Sequence, residues 1–401
     1  MKILFVHNYY GSSAPSGENA VVDAEIDLLI RNGHDVQIFS RYSDDIRGLG
    51  VTGLIKGAVN FPWSFRSYID FRNVVRKFEP DIVHVHNVFP LISSSIFHLS
   101  GFDFASVLTL HNYRIFCSAA IPMRRNGEIC IRCLEKKSIL PSLAHGCYRS
   151  SRLANFPVAV SVALHRTLRT WERKVDAFIA LTDFQRDLMV KGGLPPEKLH
   201  VKPNFFPGSP EVVPFSERRY PVVFAGRLSR EKGVEALVRA WNSWGAFAPQ
   251  LVVVGDGPMR QDLIRLARHA NVEFVGKVSS SETHQFIANA QLLVVPSEWF
   301  ECFPMTIREA FAFGTPVLVS SVGPLPSLVT ENGRCGEVFE VNSNESLLSS
   351  LKSLMSDADR LVRYSAVARK KFELFYRDTI AHEQLMSIYD AAIEARIKSG
   401  R

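Results

Sequence analysis

The chain has 401 residues, 46% of them hydrophobic and 22% charged, with a formal net charge of +7. That length exceeds one ordinary core and suits two domains of about 150 to 200 residues with a cleft between them. The composition excludes a disordered or low-complexity chain, and no apolar run reaches the roughly 18 residues that a membrane-spanning helix needs.

The opening "MKILFVHNYY" has one lysine and only a short apolar run before His7, too little for a signal sequence, so it reads as a first strand of a cytoplasmic protein. Further strands are expected at "HDVQIFS", "DIVHVH", "ASVLTLH", "AFIALT" and "LHVKPN", with helices over roughly 17–32, 62–79, 151–174 and 182–191. This alternation is the pattern of β-α-β units and a mostly parallel sheet. Three of the strands close on a histidine-asparagine pair: His7-Asn8, His86-Asn87 and His111-Asn112. The carboxyl ends of strands in a doubly wound sheet share one edge, where ligands bind. His7, His86 and Asn112 are therefore candidates for the acceptor side of a site, with His111 beside them. His84 lies inside its strand and is expected to be structural.

After His111 comes an insertion, about 113–150, in which Cys117, Cys130, Cys133 and Cys147 are spaced C-x12-C-x2-C-x13-C. Four thiols in some thirty residues can close a tetrahedral zinc site, and the bland alternative is four reduced thiols. From His111 to Lys174, twelve Arg and Lys stand against three acids, a local +9 that attracts phosphates, acidic lipid headgroups or nucleic acid.

The proline-rich stretch 205–221 marks a domain boundary, and the strand-helix alternation restarts beyond it with "VVFAG", "QLVVVGD", "VEFVG", "QLLVVPS" and "PVLVS". The expected domains are 1–204 and 205–376, with a helix over 377–401 returning to the first. In "AGRLSREKG" a strand ends at Gly226, and Arg227 and Lys232 lie in the loop before a helix, a natural diphosphate site. "VVVGDGPMR" is a second glycine turn, with Gly255, Asp256 and Gly257, and it lacks the spacing of a dinucleotide fingerprint. In "ECFPMTIREAFAFGTPV", Glu301 is expected in the loop after a strand and Glu309 on the flank of a helix of about ten residues, with Met305, Ile307, Ala310, Phe311 and Gly314 on its buried side. An ionised carboxylate only accepts hydrogen bonds, so both acids suit sugar hydroxyls, and the amides around Phe303, Pro304, Met305 and Thr306 suit phosphate.

Residues 297–320, with "GRLSREKG" and "VVVGDGP", resemble the retaining, nucleotide-sugar-dependent glycosyltransferases of family four, the group 1 type with the GT-B fold. The resemblance implies two Rossmann-like doubly wound α/β domains facing each other across a cleft. It implies that Glu309 binds the donor ribose, that Glu301 contacts the transferred sugar, and that Arg227 and Lys232 hold the diphosphate. Gly17 of "PSGEN" would approach the phosphates and His111 would line the reaction centre. The sequence departs from the family in reading "ECFP" for "EGFG" and "SGEN" where two adjacent glycines are usual. The expected partners are a nucleoside-diphosphate sugar and a glycan or lipid-linked acceptor, with peripheral attachment to an anionic inner membrane face and no nucleic acid. No catalytic metal is expected, on the reading that the chain lacks the D-x-D motif that carries one. The rival readings are a zinc-bearing nucleic-acid-binding protein, a NAD-type dehydrogenase and a catalytically dead scaffold.

Overall fold

The computed structural model describes all residues except 12–16, 48–49, 125, 269 and 401, and leaves the side chains of 46, 47, 51, 52 and 54–56 undescribed. The chain divides into two compact units, Met1–Pro203 with Ala381–Arg401, and Asn204–Ile380.

The first unit is built on six parallel strands: β1 (Lys2–Tyr9), β2 (Asp35–Tyr42), β3 (Ile82–Asn87), β4 (Ala105–Thr109), β5 (Ala177–Ala180) and β6 (Leu199–Val201), in the order β2-β1-β3-β4-β5-β6. β3, β4 and β5 are buried along their whole length, as parallel strands covered by helices on both faces must be. Ile3, Phe5, Ile82, Val107 and Ile179 pack against Leu385, Ile388, Tyr389 and Ala392, so the C-terminal helix Asp378–Lys398 completes the core of this unit.

The second unit has six parallel strands as well: β7 (Tyr220–Ala225), β8 (Leu251–Val254), β9 (Val272–Gly276), β10 (Ala290–Val295), β11 (Val317–Ser320) and β12 (Gly336–Phe339), in the order β12-β11-β10-β7-β8-β9. The direction of winding reverses between β7 and β10, which makes the loops after those two strands the topological switch point. The boundary stretch is pinned to this unit: buried Arg218 donates to the carbonyls of Ala290, Phe313 and Gly314.

Several elements differ from the sequence reading. The helix expected over 151–174 runs Arg152–Thr167 and then breaks at Arg169, in the left-handed region with φ 52°, before a short turn Thr170–Arg173. The helix Gly50–Asn60 has no counterpart in the reading, because Gly50, Gly53 and Gly57 mask its apolar period. The helix after Glu301 has eight residues, Met305–Ala312, and buries Arg308 and Glu309 along with Ile307, Ala310 and Phe311, while Met305 is only half-buried.

Candidate functional site

In the second unit the loops after β10, β7 and β8 lie side by side, because those strands are neighbours. Lys232, from the loop after β7, places its Nζ 2.6 Å from Oε1 of Glu301, in the loop after β10. The same oxygen accepts from Ser297 Oγ at 2.7 Å, and the ammonium lies 5.6 Å above the Trp299 ring. The carboxylate is buried and the lysine partly exposed. The cation expected at a diphosphate and the acid expected at a sugar are thus in direct contact. Atoms joined by a single anomeric bond would need hooks that close together.

Arg227, in the same turn as Lys232, is exposed. Gly226 donates to the Val254 carbonyl, and Leu228 to that of Asp256, so the turns after β7 and β8 are laced backbone to backbone. At Gly255, with φ 135°, a Cβ would stand 1.9 Å from the Gly226 carbonyl oxygen. The glycine is required here by the neighbouring turn. Exposed Asp256 accepts from the Gly257 amide at 2.7 Å.

The helix Met305–Ala312 begins at Pro304 with no side-chain cap; its Ile307 amide donates to the Pro304 carbonyl, and the Met305 and Thr306 amides ahead of it suit an outside acceptor, while Cys302, Phe303 and Pro304 are buried. Glu309 is buried, not on an open flank, with Oε1 3.7 Å from His284 Nε2 and 4.0 Å from Arg308 Nη2. Arg308 is itself anchored on the Phe205 carbonyl. Contrary to the sequence expectation, the chain does contain a D-x-D, Asp357-Ala358-Asp359. Asp357 caps the helix Ala358–Lys371 by accepting from the Arg360 amide and pairs with the Arg360 guanidinium, so it serves a helix end.

In the first unit, β1, β3 and β4 are adjacent, and the histidines at their ends meet. His86 Nδ1 lies 2.8 Å from His111 Nε2, with the two rings stacked 5.1 Å apart. The His7 ring stands edge-on to His86 at 6.4 Å, and His7 Nε2 donates to Asn19 Oδ1 at 3.0 Å. Behind them Glu25 is fully buried, 3.4 Å from His86 Nε2 and 2.5 Å from Lys202 Nζ. Burial alone would raise the Glu25 carboxyl, but Lys202 and the two imidazoles hold it well below the usual carboxylate range. A carboxylate facing Nε2 of His86 keeps the proton there and leaves Nδ1 as an acceptor. His111 must then donate from Nε2, so its Nδ1 carries the free lone pair. Burial, then the neighbouring His86, holds His111 well below its ordinary value, so the ring is neutral near pH 7.

Glu25, His84 and His86 form the one group among the described residues whose His, Cys, Asp or Glu ligand atoms lie within metal-binding reach of one another. Lys202 already supplies the positive charge there, and His84 is engaged by Tyr389 and Thr109 at 2.8 Å each, as a structural histidine. The asparagines of the pairs shape loops: Asn8 accepts from the Leu91 amide and Asn112 from that of Arg114.

Gly17 begins the helix Gly17–Arg31, while Pro15 and Ser16 of "PSGEN" lie outside the described residues. The loop's chemistry lies as much in the next two residues, which the sequence reading passed over. Asn19 orients His7, and burial pushes the Glu18 carboxyl up to about 8 against the pull of Arg114. Cys117, Cys130, Cys133 and Cys147 all line one cavity of about 30 Å³. No three of their sulfurs come within 4.8 Å of one another, wider than zinc-bound thiolates stand, so the thiols as placed do not close a tetrahedron. Burial pushes Cys117 up to about 12 and Cys133 up to about 11.

Comparison with known proteins places this geometry in a family. The pattern of Glycosyltransferase Family 4 matches residues 15–207, and that of Glycosyl transferases group 1 matches 208–371. The chain belongs to the group 1, family 4 glycosyltransferases. It is 23% identical over 437 aligned positions, 99% of this chain and 96% of the relative, to the putative teichuronic acid biosynthesis glycosyltransferase TuaC of Bacillus subtilis. It is 27% identical over 156 residues, 38% of this chain, to the sulfoquinovosyl transferase SQD2 of Arabidopsis thaliana, and that match spans 30% of the relative's length. An uncharacterised glycosyltransferase of Methanocaldococcus jannaschii is 32% identical over 43% of this chain and 45% of its own. Among solved structures, sucrose-phosphate synthase from Thermosynechococcus elongatus superposes with a TM-score of 0.69 at 17% identity, covering 98% of this chain and 99% of that one. Anabaena HepE in complex with UDP and glucose gives 0.64 at 18% identity, covering 98% and 100%. The fold is therefore GT-B, with two six-stranded parallel sheets.

Proposed function

We propose that the chain moves a sugar from a nucleoside-diphosphate sugar to a hydroxyl of a glycan or lipid-linked acceptor, retaining the anomeric configuration and using no catalytic metal. The observation that carries this is the Lys232-Glu301 contact at the switch point of the second sheet, beside the uncapped helix of Glu309. Relatives point the same way, since HepE was captured with UDP-glucose. The teichuronic acid relative motivates the acceptor class.

In the proposed reaction the bond from the anomeric carbon to the diphosphate oxygen breaks, and its electron pair leaves with the phosphate. The acceptor oxygen bonds to that carbon from the same face, and its proton passes to the departing phosphate. Positive charge builds on the sugar and negative charge on the leaving group. Lys232, Arg227 and the helix amides oppose the second, and Glu301 is placed to hold the sugar hydroxyls. Glu309 takes the ribose, and His111 offers Nδ1 as an acceptor toward the incoming hydroxyl.

A nucleoside diphosphate should raise the melting temperature and a dinucleotide should not. Lys232→Ala should fold normally and lose turnover by about two orders of magnitude or more, the usual cost of one preorganised donor. Glu309→Ala should chiefly raise KM for the donor. Near-normal kinetics in both variants with a matched donor would refute the assignment.

A further inference from the structure

The first unit carries a groove of about 660 Å³, within the range of small-molecule sites, whose walls are almost wholly apolar. One wall is the helix Gly50–Asn60 and the other is the helix Arg152–Thr167; Phe89 and Tyr148 also line it. Its apolar side chains stand in the open: Leu153 is 85% exposed, Val59 71%, Phe156 58% and Val160 38%. Leu153, Phe156 and Val160 fall at i, i+3 and i+7, a single stripe along their helix. An open apolar surface of this kind on a globular unit marks a binding site and not a packing accident.

The charge around the groove selects its occupant. From Ile46 to Ile69 the chain has three cations, Arg47, Lys56 and Arg66, and no acid. From Lys136 to Trp171 it has six, Lys136, Lys137, Arg149, Arg152, Arg166 and Arg169, and again no acid. Acids border both segments, and Arg66 faces Asp70 at 4.0 Å and Arg169 faces Glu172 at 2.9 Å; Arg149, which lines the groove, and Arg152, on its second helix, are exposed and pair with no carboxylate among the described residues. A wholly apolar partner would leave Arg149 and Arg152 without counterions. An anionic bilayer supplies headgroups for them and hydrocarbon for the groove.

We propose that this face docks on an anionic lipid bilayer, with the groove taking a hydrocarbon chain of a membrane lipid. This deepens the proposed function by making the membrane the place where the acceptor is met. The tests keep the two readings apart. The intact chain is incubated with vesicles of phosphatidylglycerol and phosphatidylcholine, or of phosphatidylcholine alone, at low and high salt. Binding is expected to the anionic vesicles only and to weaken in high salt. Leu153→Gln with Phe156→Gln, both on exposed positions, should weaken it at least tenfold while the melting temperature and its rise with a nucleoside diphosphate stay as in the parent. Fluorescence of Val59→Trp should be quenched by phosphatidylglycerol with brominated acyl chains. Absence of vesicle binding at low salt, unchanged binding by the double variant, or a parent dimer that this variant dissociates would each overturn the proposal. If the nucleoside diphosphate fails to stabilise a parent that still binds vesicles, the transferase reading falls and the docking surface stands.

Discussion

Glu25 decides more than its own pairing. It is fully buried, as is Lys202, and each is the other's countercharge. Removing one charge leaves the other uncompensated in a dry interior, which costs far more than removing both. Glu25→Gln should therefore lower stability by roughly 3–5 kcal/mol in urea denaturation, and the added change Lys202→Met should recover a large part of it. The same carboxylate sets the His86 proton, and through it the tautomer of His111. Nitrogen-detected imidazole spectra should show His111 protonated at Nε2 in the parent and a mixture in Glu25→Gln. A parent spectrum with the proton on Nδ1 would reverse the assigned direction of the chain. The strand-end histidines were legible in the sequence as one edge. Glu25 and Lys202 were not, because they lie 177 positions apart and neither sits in a motif.

At the scale of elements, the glycine turns and the cysteine insertion make opposite demands. Gly255 has a positive φ of 135° and a neighbouring carbonyl where a Cβ would go. Gly255→Ala should cost about 3 kcal/mol, from strain and from parting the turns after β7 and β8, read as a lower denaturation midpoint. The turn itself was visible in "VVVGDGP", but what crowds it is a second turn 29 residues earlier, which only the sheet order brings alongside. The insertion is less tightly drawn. Its four thiols line one cavity with no three of them within mutual reach, so zinc on Cys117, Cys130, Cys133 and Cys147 stands as a proposal that requires the side chains to turn inward. Metal analysis should return one zinc per chain, lost in Cys130→Ser, if they do; four freely titrating thiols and no metal would leave the cavity as it is drawn.

Over the whole molecule, the first unit concentrates groups that resist acid. Burial lowers His7 to about 4 and holds His84 and His111 well below 6.5. The unfolded chain takes up these protons near pH 6.5 and the folded one does not, so stability falls as pH drops through 6.5 and, for His7, on toward 4. Glu25 has the same sign: its contribution is present above its unfolded value and is lost as pH falls through the lower folded one. His7 alone accounts for about 3 kcal/mol across that window. Urea midpoints should fall steadily from pH 7 to pH 5, and a flat profile would mean that the histidines are solvated. The alternation of short apolar strands with helices, the boundary near 204 and the paired acids of "ECFPMTIREAF" were set by the sequence alone, because strand period, proline content and local spacing are properties of neighbouring residues. Tertiary structure alone decided that Lys232 meets Glu301, that Glu309 is buried against His284, and that two acid-free helices enclose an apolar groove. Each joins segments distant in the chain, and burial and electrostatic contact depend on distance in space.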